Sequence, residues 1–366
     1  MKIKDIISVV IFALLVGAIS LSCFLKKDDE YSESERRPLA QMTEINAQTI
    51  FSGEFMKNFE EYSADQFPKR DFFRGIKAVF VNNVLNQMDN NGLYFKNGHI
   101  SKIEYPENEK MMSHSAEVFN KIYDKYIDGK DMKVYLSIIP DKNYFFGKEY
   151  GYLSMDYDKF ATYFKDAMPY AKYIDVAPLL DIDDYYTTDS HWKQEEIVDV
   201  SEYILKEMGT IIKTDYKVNK IEKPFYGVYK GQSALNISPD TIKYLTSYGI
   251  DNAIVTYYDT GLPKEGEMYN MEKAVGKDPY EMFLSGSTPL VTIEYPENKN
   301  GKELIIFRDS FGSSLAPLLS LGYEKTTVVD IRYVGSDFLG NLIDFNNQDV
   351  LFIYSAVMLN NSAGLR

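Results

Sequence analysis

Cysteine is nearly absent: Cys23 is the only one in 366 residues. An intrachain disulfide is therefore excluded, and the fold must be held by its core alone. Histidine is almost as scarce, with three dispersed along the chain, so no ligand spacing for a transition metal exists. Asp181, Asp183 and Asp184 offer only a nonspecific place for a hard cation, and no metal is expected. Positive charge is also short. A balance of 40 Lys and Arg against 54 Asp and Glu gives a net charge of -14, which leaves no basic face for a phosphate backbone and excludes nucleic acid as a partner. What is plentiful is apolar and aromatic. Hydrophobic residues make up 45% of the chain, enough for a sizeable core in one large domain or two modest ones. The 30 Tyr and 22 Phe stand against a single Trp. Tyrosine's polar-tipped ring suits sugar surfaces; a compositional bias that also favours Lys, Ile and Asn gives the same count.

Charge is missing altogether from Ile6 to Leu25, a run long enough as a helix to cross the roughly 30 Å hydrocarbon core of a bilayer. Lys2 and Lys4 precede it, so residues 1–25 read as a cytoplasmic tail and transmembrane signal-anchor with everything after Leu25 outside the cell membrane. No small-x-small cleavage site follows, which favours a retained anchor over a cleaved signal peptide. Ser20-Leu21-Ser22-Cys23 also resembles a lipoprotein box. Residues 26–45 read as a polar linker, and 46–366 as an extracytoplasmic domain.

Within that domain, amphipathic helical sequence runs from Asn46 to Asn90. Its aromatic stripe, Phe55, Phe59, Tyr62, Phe67, Phe72 and Phe73, is the kind usually found in a core. Gly92 to Ile100 predicts a hairpin turning at Asn97-Gly98. From there helices (115–127, 158–168, 194–208, 312–321, 337–343) alternate with strands (134–140, 173–177, 291–295, 304–307, 326–331, 350–354). Such alternation predicts an α/β fold with a parallel sheet. The interval 211–282 is less regular and reads as an insertion at the rim of a site.

Two stretches 119 residues apart carry the chemistry. In Asp189-Ser190-His191-Trp192, a carboxylate two residues before an imidazole is placed to orient it. In Arg308-Asp309-Ser310-Phe311-Gly312, a serine stands where a strand gives way to a helix, at the carboxyl edge where ligands of α/β sheets bind. Serine is a weak nucleophile that needs a base, histidine is tuned to serve near neutral pH, and a helix N-terminus favours an oxyanion. Ser310, His191 and Asp189 thus form a candidate triad. Both stretches read equally as helix caps, from Thr188, Asp189 or Ser190 and from Asp309 or Ser310.

Six segments in order resemble the DHHW family of exported proteins, related to the SGNH-hydrolase-like domains of the alginate O-acetylation proteins AlgJ and AlgX. They are Glu35-Arg36-Arg37-Pro38-Leu39-Ala40, Asp65-Gln66-Phe67-Pro68-Lys69-Arg70, Pro140-Asp141-Lys142, Thr188-Asp189-Ser190-His191-Trp192, Arg308-Asp309-Ser310-Phe311 and Asp330-Ile331-Arg332-Tyr333. The first His of the family name is Ser190 here, and Gly286-Ser287 stands where relatives often have Gly-Asn. The resemblance implies an SGNH-hydrolase-like sheet flanked by helices and the roles nucleophile, base and orienter for Ser310, His191 and Asp189. It also implies Ser287 as an oxyanion donor and Lys142, Arg308, Arg332 and Trp192 as site-lining residues. The implied activity is O-acetyl transfer to a cell-surface or secreted polysaccharide, with no bound cofactor, an acetyl donor, and a membrane-bound O-acyltransferase as partner. An acetylesterase with the same triad, and a noncatalytic glycan-binding protein in which Trp192 and tyrosines stack on sugar, remain as alternatives.

Overall fold

The computed structural model describes residues 3–85, 87–259 and 261–366; Lys2, one of the two flanking charges, lies outside them. The chain forms two compact units. One comprises the chain up to Asn91 together with Lys230–Ile237, the other Gly92–Tyr229 together with Ser238–Arg366.

The first unit contains the apolar helix Ile3–Leu25, which is long and apolar enough to cross a membrane, and the helices Ala47–Phe51, Glu54–Asp65 and Arg70–Asn83. Residues 26–45 differ from the expected linker. Tyr31–Ser32 and Arg37–Pro38 pair as a short hairpin, and the Arg37 guanidinium bonds both oxygens of Asp65 at 2.8 and 2.6 Å. Glu35 meets Arg70 at 2.6 Å and Arg74 at 3.1 Å. The first two family-like segments are thus joined by an ion-pair network that ties the segment down. The aromatic stripe differs too: Phe59, Phe72 and Phe73 are exposed, and Phe55, Tyr62 and Phe67 are half-buried.

The second unit is built on an eight-stranded sheet, its strands numbered in chain order: β1 Val134–Ile139, β2 Lys172–Tyr173, β3 Ile254–Tyr257, β4 Lys264–Gly266, β5 Leu290–Glu294, β6 Glu303–Arg308, β7 Lys325–Val329 and β8 Asp349–Ser355. Their spatial order is β4-β3-β5-β7-β6-β8-β1-β2. From β7 to β2 all neighbours are parallel, whereas β5, β3 and β4 add an antiparallel margin. The region 211–282 is therefore more than a rim insertion, since it supplies β3 and β4 of the sheet and a segment of the first unit.

The near-continuous apolar run Leu304-Ile305-Ile306-Phe307 is buried along its whole length, as a parallel strand covered on both faces requires. Leu304 and Ile306 pack into one core with Leu315, Leu318 and Trp192. Ile305 and Phe307 pack into another with Phe119, Phe160 and Phe352. Helices Val198–Glu207 and Phe311–Ser320 cover the first face; Glu109–Ile122 and Tyr157–Ala167 cover the second. Parallel pairing brings the ends of β1, β6, β7 and β8 to one edge, where Lys142, Ser310 and Asp330 follow closely and Ser355 ends β8.

Candidate active site

Ser310 ends the turn between β6 and helix Phe311–Ser320 in ordinary right-handed backbone, with φ -62° and ψ -26°. The turn is tied down by Asp309, whose carboxylate accepts from Phe311 N at 3.0 Å on one oxygen and from Ser355 N and Oγ at 2.9 and 2.6 Å on the other. Glycine is needed at Gly312, where a Cβ would come within 2.5 Å of Arg308 Cβ. The Ser310 side chain makes no capping bond, so the cap reading holds for Asp309 and not for Ser310.

The histidine arrives on a tight hairpin. Tyr185 bridges Trp192, and Tyr186 N donates to His191 O at 3.0 Å. At its tip Asp189 Oδ1 accepts from His191 N at 3.1 Å, a turn in which a side chain mimics the backbone, and this brings the carboxylate to the imidazole. Asp189 Oδ1 lies 2.6 Å from His191 Nδ1, and His191 Nε2 lies 2.8 Å from Ser310 Oγ. Asp189 is fully buried, and its Oδ2 accepts from Val228 N at 2.9 Å. No side chain from this stretch caps the following helices Gln194–Glu196 and Val198–Glu207.

Several supports carried no signal in the sequence. Tyr280 stacks on the His191 ring with centroids 3.9 Å apart and 14° between planes, and its hydroxyl meets Ser314 Oγ at 2.9 Å. Asp240 accepts from the backbone and hydroxyls of Thr187 and Thr188. At Gly227 a Cβ would fall 2.3 Å from Thr188 O and 2.5 Å from Asp189 Cβ, so only glycine lets this segment back the hairpin tip. All three lie in the region without clear periodicity, where no local pattern marks a residue as a support.

The other expected residues divide. Lys142 is buried, and its ammonium donates to the carbonyls of Tyr186, Thr187 and Asp189 at 2.7, 3.1 and 3.1 Å, so it holds the hairpin and does not line the site. Desolvation pulls its pKa down to about 7. Trp192 is also buried, contrary to a role in stacking on sugar; its indole N–H donates to Phe311 O and Ser314 Oγ at 3.1 and 3.0 Å. Arg308 is buried against Asp330 at 3.2 Å and donates to Gly286 O. Desolvation pulls its pKa down, opposed by the charge of Asp330. Arg332 pairs with the same Asp330 at 2.8 and 2.6 Å. Ser287 is exposed and lines a separate cavity of about 640 Å³ with Tyr257, Asn270 and Tyr333. Among the described residues no cluster of three metal-ligating side chains occurs.

The fold is of the expected class, an α/β sheet, largely parallel and flanked by helices, with the antiparallel margin added. No protein-family model matches the chain, and no curated protein does. Solved structures do. A DHHW family protein from Eubacterium siraeum is 22% identical with a TM-score of 0.56, over 75% of this chain and 95% of that one. Bacillus cereus PatB1 is 18% identical with a TM-score of 0.59, over 73% and 96%; its form with a sulfonyl adduct is 20% identical with a TM-score of 0.57, over 73% and 95%. The O-acetyltransferase domain of Pseudomonas putida AlgJ is 12% identical with a TM-score of 0.43, over 74% and 92%. The DHHW and PatB1 likenesses show the fold, and the neighbours expected from the six sequence segments are among those found.

Proposed function

We propose that this protein is an extracytoplasmic O-acetyltransferase that carries acetyl on Ser310 and passes it to a hydroxyl of a cell-surface or secreted polysaccharide. One observation carries the reading: the unbroken chain from Asp189 through His191 to Ser310 Oγ. His191 Nε2 takes the Ser310 proton as Oγ attacks the acetyl carbonyl of the donor. The carbonyl oxygen becomes an oxyanion beside the Ser310 N–H, at the start of helix Phe311–Ser320. Collapse breaks the bond to the donor's leaving group, which receives the proton from His191 and leaves acetyl-Ser310. A sugar hydroxyl then gives its proton to His191 and attacks the ester; the second collapse returns that proton to Ser310. Asp189 fixes the imidazole tautomer with Nδ1–H toward the carboxylate and steadies the imidazolium.

Site geometry is common to transfer and hydrolysis. The resemblance carried by the six segments favours a sugar hydroxyl as acceptor and supports the remaining parts of the reading: acetyl delivered across the membrane by a membrane-bound O-acyltransferase, and anchoring by Ile3–Leu25. The burial of Trp192 speaks against the stacking role on which the noncatalytic alternative relied.

The test incubates the full-length protein in nanodiscs with an acetyl ester donor and oligosaccharides, wild type beside Ser310→Ala. Acetylated sugar formed only by wild type supports transfer. Acetate release without acetylated sugar supports the esterase, and equal behaviour of both proteins refutes a serine enzyme. A sulfonyl fluoride that modifies Ser310 in wild type, and not in His191→Ala, reports the activated hydroxyl independently of the acceptor.

A further inference from the structure

The first unit carries an apolar surface that the active-site reading leaves unused. On helix Arg70–Asn83, Phe72, Ile76, Val79 and Phe80 are exposed by 62, 50, 53 and 50%. Their spacing of i, i+4, i+7 and i+8 makes one continuous stripe. Helix Glu54–Asp65 adds Met56 and Phe59, exposed by 66 and 40%. The polar side is used within the unit: Arg70 and Arg74 pair with Glu35, and Arg74 also donates to Gly231 O and Gln232 O. Contiguous apolar surface on this scale marks an interaction face.

The occupant is set by what this face is attached to. Helix Ile3–Leu25 ends within four residues of Asp28 and Asp29. The Tyr62 hydroxyl donates to Asp28 at 3.0 Å, and Gln66 accepts from Asp29 N at 2.9 Å while donating to Asp29 O at 2.8 Å. Gln66 is buried, so this junction is part of the packed unit. If the anchor spans the hydrocarbon, Asp28 and Asp29 lie at headgroup level, and Tyr62 and Gln66 hold the end of helix Glu54–Asp65 at that level with them. We propose that helices Glu54–Asp65 and Arg70–Asn83 lie on the outer leaflet, with the apolar stripe in the boundary between headgroups and acyl chains. The inference rests on reading Ile3–Leu25 as a membrane anchor and is independent of the chemistry at Ser310.

The experiment places the full chain in nanodiscs containing a phosphatidylcholine with a photoactivatable acyl chain and locates the lipid adducts by mass spectrometry. Adducts are expected on both Ile3–Leu25 and Arg70–Asn83. Ile76→Asp with Phe80→Asp lowers the adducts on Arg70–Asn83 by about fivefold or more and leaves those on the anchor unchanged. Adducts confined to Ile3–Leu25 overturn the surface proposal while keeping the anchor, as do crosslinks between two copies of the chain through Arg70–Asn83 in place of lipid. Adducts on Arg70–Asn83 alone support the surface and overturn the anchor reading; adducts on neither segment overturn both.

Discussion

Replacing Lys142 by methionine separates what holds the fold from what holds the site. The ammonium spends its three donors on the carbonyls of Tyr186, Thr187 and Asp189. Methionine has similar length and no donor, so the buried carbonyls of Tyr186 and Asp189 lose the Lys142 bond at roughly 1–3 kcal/mol each, while Thr187 O keeps its bond from Ile100 N at 2.9 Å. Against this stands the burial of charge, which brings the Lys142 pKa from 10.5 to about 7, a penalty of roughly 5 kcal/mol that the variant escapes. The two are of the same size, so the variant should unfold within about 2 kcal/mol of wild type near neutral pH. The site does not share in that cancellation. The three carbonyls belong to the hairpin that carries Asp189 and His191, and a shift of about 1 Å there lowers the rate on the order of 10²-fold. The pH dependence has a definite sign. Because the folded pKa lies below the unfolded value, between about 7 and 10.5 the unfolded chain binds more protons, and wild-type stability rises with pH relative to the variant. Activity runs the other way, since a neutral amine turns its lone pair toward one of the three carbonyls and loosens its hold on the hairpin: wild-type activity falls as pH rises through about 7, and the variant lacks that limb. The assays are the rate of Ser310 sulfonylation and urea unfolding, both from about pH 6 to about pH 10. A variant with a wild-type rate and an unchanged alkaline limb would refute the reasoning.

Asp189→Asn must turn its amide NH₂ toward either the His191 Nδ1–H or the Val228 N–H, both donors, and turnover should fall on the order of 10⁴-fold in steady-state assays. Gly227→Ala forces Thr188 O, 2.3 Å from the new Cβ, to retreat. Overpacking of this kind costs about 1–3 kcal/mol, so a lower Tm should accompany the loss of sulfonylation rate. Asp330→Asn leaves the Arg308 charge buried with only carbonyl partners, and calorimetry should show a loss of about 3–5 kcal/mol.

The buried strands were legible because a parallel strand covered on both faces has one signature, an apolar run with no alternation; Val134–Ile139 and Asp349–Ser355 were found to within a residue or two. The antiparallel margin was not. Ile254–Tyr257 is four residues long and joins the sheet through ladder bonds to Leu290–Glu294, a pairing with no local trace. The aromatic stripe of the first unit has the helical period of a core helix, yet periodicity reports only that one face is apolar. Whether protein, lipid or water meets that face is decided elsewhere. Lys142 and Trp192 turn their polar groups onto the backbone and Ser314 that hold the site, for residue type does not say which way a side chain points.

By itself the sequence determined the class of fold, the apolar N-terminal helix and the residues able to act as nucleophile, base and orienter. Each is a local property: a run of uncharged residues, a burial pattern, a side chain with the right chemistry. Only the tertiary structure decided that His191 and Ser310, 119 residues apart, meet at 2.8 Å. It also decided that Tyr280 and Gly227 from the irregular region brace them. Those outcomes depend on strand order and on the hairpin held by Lys142 and Asp240, which are distances between segments, and no segment contains its own distance to another.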